Sequence, residues 1–209
     1  HKLCGLHISP DKRYLVEQRL ELLAAEASPT GFTGLCDLLA QDPTPRLNER
    51  IIAAITTNET SFFRDHHPFD TFRDHLLPQL IDKIRLRRSL RHEEQPSAAG
   101  ARIWSAGAST GQEPYSIAII IHEYLQEHPE YGIRPTDFEI LATDISTRVL
   151  EQAIAGRYNE VEILRGLSTG QRDTYFHQEN KDWFLNQEIR HMVSFQRMNL
   201  TATFTPLGA

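Results

Sequence analysis

Three stretches of this sequence carry residue types that could do chemistry. The first is Arg102-Ile103-Trp104-Ser105-Ala106-Gly107-Ala108-Ser109-Thr110-Gly111-Gln112-Glu113-Pro114-Tyr115. A strand-like run enters a loop of small residues and then a helix with proline near its start. A glycine-rich turn at the carboxyl end of a parallel strand lets the backbone approach a ligand closely. The spacing is not the dinucleotide G-x-G-x-x-G pattern, so the ligand need not carry phosphates. A loop this small also suits the amino-acid end of S-adenosylmethionine. The same residues equally describe a tight strand-to-helix turn with no ligand. The second stretch is Ala142-Thr143-Asp144-Ile145, where Asp144 falls just past a second strand. A carboxylate there can accept hydrogen bonds from both ribose hydroxyls of an adenosine. Asp144 lies 33 residues after Gly111, more than the usual ~20; a helix and the loop through Pro129 and Pro135 account for the excess. The competing role is an N-cap for a helix starting near Thr147, which Ser146 could fill instead. The third stretch is Thr56-Thr57-Asn58-Glu59-Thr60-Ser61-Phe62-Phe63-Arg64-Asp65. The paired phenylalanines anchor it in a core. A fixed Arg64 can then grip a carboxylate with two hydrogen bonds, or pair structurally with Asp65 or Asp70.

These residues need elements to position them. Apolar residues at helical spacing predict a helix over 14–27, with Ser9-Pro10-Asp11 as its start signal. Shorter helices follow over 32–41 and 47–57, with Asp42-Pro43 and Pro45 as breaks, so the first 55 or so residues read as a small helical domain. Residues 68–91 predict a helix or helix pair with Pro78 near the middle, and residues 93–100 a polar loop. The pattern then changes. Ala101–Ala106 and Glu139–Thr143 read as strands, and Glu113–Gln126 and Thr147–Gly156 as helices, the last ended by its glycine. Strand, helix, strand, helix predicts an α/β fold with a parallel sheet. Residues 157–196 break that rhythm. Asp182–Leu185 and Ile189–Phe195 are expected to pair as an antiparallel hairpin around Asn186-Gln187. The expected division is 1–55 as the helical domain, 56–99 as a linker segment and helix, and 100–209 as the ligand-binding domain.

Bulk composition narrows the classes. The chain has 209 residues, 40% hydrophobic and 24% charged, with a formal net charge of −6, ordinary for a globular protein. Its longest aliphatic run, Ile117–Ile121, is far short of a membrane span, and no secretion signal opens it, so no membrane insertion is expected. Cys4 and Cys36 are its only cysteines. They cannot make a disulfide framework or a four-ligand zinc site, which points to a reducing, cytoplasmic setting. The adjacent His66-His67 reads as a surface feature, and no metal is expected. Lys83, Arg85, Arg87, Arg88 and Arg91 form one basic cluster. It reads as a solvated helix face, and the net acidity and the lack of aromatics within it argue against nucleic acid.

Taken together, the motifs resemble the ordered signature of the CheR-type chemotaxis receptor methyltransferases. The matching pieces are Thr57–Arg64, Trp104–Ser116 and Ala142–Ile145. Lys12-Arg13, Arg19-Leu20, Gly156-Arg157-Tyr158, Arg165-Gly166-Leu167, Val193-Ser194-Phe195 and Asn199-Leu200 add to them. The resemblance spans nearly the whole chain in order. It implies a helical amino-terminal domain, a linker, and a doubly wound, Rossmann-like methyltransferase domain with a small antiparallel β subdomain, placed at 157–196. It implies S-adenosylmethionine as cofactor and S-adenosylhomocysteine as product. By motif, Asn58, Thr60 and Arg64 would serve the cofactor from the linker segment, and Gly107 would allow close approach. Glu113 would hold the methionine end or its surroundings, Asp144 the ribose, and Asn199 and Leu200 would flank the adenine. The partner implied is the cytoplasmic region of methyl-accepting chemotaxis receptors, and the reaction methyl transfer to glutamate side chains.

The family pattern continues with a further strand and a Cys-Arg-Asn-Val type motif, whereas this sequence stops at Pro206-Leu207-Gly208-Ala209. The expectation is therefore a chain lacking carboxy-terminal strands, either a fragment or one that completes its sheet by self-association. Phe176–Trp183 has no glycine, so docking of a receptor tail on a glycine-rich loop is not expected. An ionised carboxylate is already a nucleophile and a sulfonium an excellent methyl donor. The reaction therefore needs positioning and charge placement rather than a general base, and Arg64 is the expected catalytic residue. The contrasting reading is a non-catalytic cofactor-binding or receptor-scaffold module of the same fold.

Overall fold

A computed structural model describes residues 3–41, 44–90 and 100–202. The polar loop expected at 93–100 falls, apart from Gly100, outside the described residues, as do Arg91 and the carboxy-terminal Pro206–Ala209. The chain divides into two compact units. One comprises 1–58 with 145–148 and 197–209; the other comprises 59–144 with 149–196.

The first unit is built on α1 (Arg13–Ala27), α2 (Phe32–Gln41) and α3 (Pro45–Ile55). Leu20, Leu23 and Ala24 of α1 bury against Leu35 of α2 and Ile51 of α3. Pro45, expected as a break, instead opens α3. At the first helical position its missing N–H costs nothing and its fixed φ suits the helix. Thr44 caps the same end, its hydroxyl accepting the Leu47 N–H at 3.3 Å. Arg19 donates to the Ile55 carbonyl at 2.7 Å and the Thr57 hydroxyl at 3.1 Å, so the end of α3 is held by α1.

The second unit opens with α4 (His67–Thr71), a π-helical turn over Phe72–Leu76, and α5 (Leu77–Ser89). Pro78 near the start of α5 cannot donate into the i→i−4 ladder, and the wider turn sits just before it. β1 (Ala101–Ala106) leads to α6 (Gln112–Glu127), β2 (Phe138–Asp144) and α7 (Thr147–Ala155). β1 and β2 are parallel, in a register that sets Ala106 beside Thr143. Helix α6 carries the longest apolar run and is largely buried, with Ala118, Ile119 and Ile121 fully so.

Next come β3 (Arg157–Asn159), α8 (Glu160–Leu164), α9 (Thr169–Tyr175), β4 (Phe176–Glu179), β5 (Asp182–Leu185), α10 (Gln187–Arg190) and β6 (Val193–Arg197). The antiparallel sheet has the order β3-β5-β4. This corrects the expected hairpin: β5 pairs with β4 and β3, not with the segment after Asn186-Gln187. The tight turn lies at Asn180-Lys181, with Asn180 at φ +58°, a conformation asparagine tolerates better than most residues. The chain after β5 coils into α10 and is carried to the other sheet, where β6 lies beside β2 in the order β1-β2-β6. Alternation alone marked Ile189–Phe195 as a strand, but Ile189 is the buried residue of a helical turn.

Candidate cofactor site

The loop between β1 and α6 is stapled to the tip of β2. The N–H groups of Gly107 and Ala108 both donate to the Thr143 carbonyl, at 2.8 and 2.9 Å. The Ser109 N–H donates to Asp144 Oδ2 at 2.9 Å. Gly107 and Asp144 are thus brought to the ends of two neighbouring parallel strands, as the sequence predicted. Gly107 holds φ +76°, and a Cβ built on it would meet nothing within 4 Å. Backbone geometry therefore favours glycine there, and the space in front of it is open to a ligand. Ser109 holds φ +50° without being glycine, local strain of the kind that collects at ligand clamps.

Two buried tyrosines brace this region, Tyr158 under the loop and Tyr115 between α6 and the end of α7. Tyr158 donates to the Thr110 carbonyl at 2.9 Å, and Tyr115 to the Ala153 carbonyl at 2.8 Å. Burial pushes both phenols well above the ordinary tyrosine range, so both stay protonated donors. Gly111 is packed close, its virtual Cβ 2.9 Å from Ala153 Cβ and 3.2 Å from Tyr158 Oη. Glu113, exposed in the first turn of α6, accepts from the buried Ser105 hydroxyl at 2.7 Å, and its charge suits a helix amino terminus. Trp104 Nε1 donates to the Thr143 hydroxyl at 2.9 Å, a second tie between the strands.

The segment carrying Thr60 and Arg64 is tied to the same helix. The Phe63 N–H donates to Ser116 Oγ at 3.0 Å, and that hydroxyl donates to the Gln112 carbonyl at 2.7 Å. Phe62, fully buried, meets Tyr158 and Phe176 edge-on at 5.0 and 5.5 Å. Phe63 meets Phe69 at 5.5 Å. The phenylalanines anchor the segment, as expected. The turn they hold is strained: Phe63, Asp65 and His66 all have positive φ, at +47°, +64° and +46°. Arg64 projects from this turn, half exposed. Its Nη1 donates to the Glu59 carbonyl at 2.7 Å, while Asp65 Oδ2 stands 3.9 Å from its Nε.

Asn58, Asn199 and Leu200 belong to the first unit. Asn199 Nδ2 donates to the Leu3 carbonyl at 3.4 Å, and its Oδ1 accepts from the Thr201 N–H and hydroxyl at 3.0 and 2.8 Å. Leu200 is exposed. Thr60, Arg64, Gly107, Glu113 and Asp144 all belong to the second unit.

Sequence reasoning gave no role to Tyr115, Tyr158, Ser116 or Arg165. All four stood within the matching motif pieces, but only the fold shows what they touch. Arg165 Nη2 pairs with the Glu59 carboxylate at 2.9 Å. Arg165, by hydrogen bond and charge, and then Arg64 hold that carboxylate below the ordinary glutamate range. The following Gly166, at φ +108°, packs on the Phe62 carbonyl so closely that a Cβ would lie 1.8 Å from its oxygen.

A cavity of 590 Å³ is lined by Phe63, Phe69, Arg73, Glu123, Leu167 and Gln171 among others, and by none of Gly107, Glu113 or Asp144. Of the basic cluster, Arg87 donates to the Gly100 carbonyl and Arg88 to the Gly132 carbonyl, each at 3.1 Å. Arg88 also pairs with Asp137, and Arg85 lies over the Tyr131 ring at 5.5 Å. Arg85 and Arg88 clamp α5 to the loop before β2, and Arg87 ties it to the residue before β1. Among the described residues no helix is long and apolar enough to cross a membrane.

Comparison with known proteins adds to this geometry. Residues 58–209 match the family described as CheR methyltransferase, SAM binding domain. The chain is 35% identical to chemotaxis protein methyltransferase 1 of Pseudomonas aeruginosa, over 99% of this chain and 70% of that protein. It is 33% identical to chemotaxis protein methyltransferase Cher2 of Pseudomonas putida, with the same shares. It is 36% identical to a chemotaxis protein methyltransferase of Vibrio parahaemolyticus, over 98% of this chain and 69% of that one.

Proposed function

This chain belongs to the CheR family of S-adenosylmethionine-dependent methyltransferases, and from that premise we propose that it methylates glutamate side chains in the cytoplasmic region of chemotaxis-type receptors. The observation that carries the reading is the pairing of Gly107 and Asp144 at the tips of β1 and β2, joined through the Ser109 N–H.

The residues present fit the cofactor. The open face at Gly107 is a cradle that any side chain would fill. The Asp144 carboxylate, steadied by a backbone amide, suits a pair of ribose hydroxyls. Glu113, in the first turn of α6, would offer negative charge toward an α-ammonium group, and Thr60 and Arg64 are proposed to close the site from the segment before α4. When bound, the cofactor supplies a methyl group on a positively charged sulfur. The protein's own work is to place the glutamate carboxylate in line with that methyl, with no general base because the carboxylate is already ionised. Arg64 is the residue proposed to orient this carboxylate, since a guanidinium grips a carboxylate with two donors.

The test is methyl incorporation from tritiated S-adenosylmethionine into receptor-containing membranes. Loss of a charge-assisted contact costs roughly 1.5–3 kcal/mol, so Arg64→Ala is expected to lower the rate by about tenfold to a hundredfold. An unchanged rate would remove Arg64 from the mechanism.

A further inference from the structure

Two guanidinium groups meet one glutamate beside the strained turn. The Glu59 carbonyl accepts from Arg64 and the Glu59 carboxylate from Arg165. Both arginines lower the pKa of that carboxylate, Arg165 more than Arg64, so each is within electrostatic reach of it. Arg165 follows the last residue of α8, and its neighbour Gly166 is pressed onto the Phe62 carbonyl. The backbone that carries Arg165 therefore cannot drift from the turn that carries Arg64. The other acidic neighbour of Arg64, Asp65, is beyond hydrogen-bond distance. With Nη1 donating to the Glu59 carbonyl, the remaining N–H groups of Arg64 are available to an incoming carboxylate as long as the Glu59 carboxylate is engaged by Arg165.

We infer that Arg165 is a positioning residue for Arg64: it occupies the Glu59 carboxylate and so keeps that carboxylate from capturing the Arg64 guanidinium. The inference rests on the reading of Arg64 proposed above. Two cations compete for one anion, and removing the stronger competitor hands the anion to the other. A glutamate–arginine pair formed this way would mask the groups meant for substrate.

Methyl transfer from tritiated S-adenosylmethionine to receptor-containing membranes tests it. Arg165→Ala is expected to lower kcat/KM about threefold to fivefold, the range an exposed ion pair supports. Adding Glu59→Gln to that variant is expected to restore at least half of the loss, because a neutral amide does not compete for a guanidinium. Arg165→Lys, which keeps the cation, is expected to stay close to the parent. An Arg165→Ala rate equal to the parent overturns the inference. So does a loss that Glu59→Gln does not repair, which would make Arg165 a structural tie and nothing more. Arg64→Ala, run alongside, separates the two levels. If it lowers the rate while Arg165→Ala does not, only the positioning role fails; if it leaves the rate unchanged, the reading of Arg64 fails and the inference with it. The Arg165 side chain is 59% exposed, so a folded variant is expected, and Arg165→Gln repeats the test should alanine fail in a thermal melt.

Discussion

Replacing Gly107 by alanine separates binding from stability. The residue holds φ +76°, and its virtual Cβ has no neighbour within 4 Å. The folded protein therefore pays only for the left-handed backbone, roughly 1–2 kcal/mol, with no clash added. A bound cofactor meets the new methyl directly. Forcing one methyl group into a fitted contact costs typically 1–3 kcal/mol, which corresponds to about fivefold to 150-fold in Kd. Titration calorimetry with S-adenosylmethionine and with S-adenosylhomocysteine reads the second quantity, and urea denaturation reads the first. The expected pattern is a small drop in stability with a large drop in affinity for both compounds. Affinity equal to that of the parent would show that the cofactor does not approach this turn, and the placement of the site at the tips of β1 and β2 would be refuted.

Gly166→Ala should behave in the opposite way: its Cβ would stand 1.8 Å from the Phe62 carbonyl oxygen at φ +108°, and strain plus overpacking predict a loss of about 2–5 kcal/mol by urea denaturation. Tyr158→Phe removes a buried hydrogen bond to the Thr110 carbonyl and should cost about 1–3 kcal/mol, with hydrogen exchange rising first in the loop 107–111. Burial raises the pKa of Glu123 above the ordinary glutamate value. A carboxyl whose folded pKa is raised lends stability at acid pH and loses it as pH climbs through that value. Glu123→Gln should therefore be stabilising relative to the parent at pH 7, with the gain shrinking as pH falls through the raised value toward the ordinary glutamate range; a gain that is the same at pH 4 and pH 7 would contradict this.

The candidate residues for the cofactor site were visible in the sequence because they sit in short local patterns. The strand–small loop–helix run around Gly107 and the strand-ending Asp144 need only a few neighbours to be recognised, and β1, α6, β2 and α7 follow from local periodicity. Pairing choices were not legible. Val193–Arg197 alternates like any half-buried strand, yet whether it joins β5 or β2 depends on α10 coiling between them, and no local pattern expresses that competition. The same holds for the contacts behind the site. Tyr158 and Thr110 stand 48 residues apart, and Arg165 and Glu59 stand 106 apart. Hydrophobic period and turn chemistry act over a few residues, so they specified which elements form. Which side chains then meet depends on how those elements pack in three dimensions, and this the folded chain alone decided.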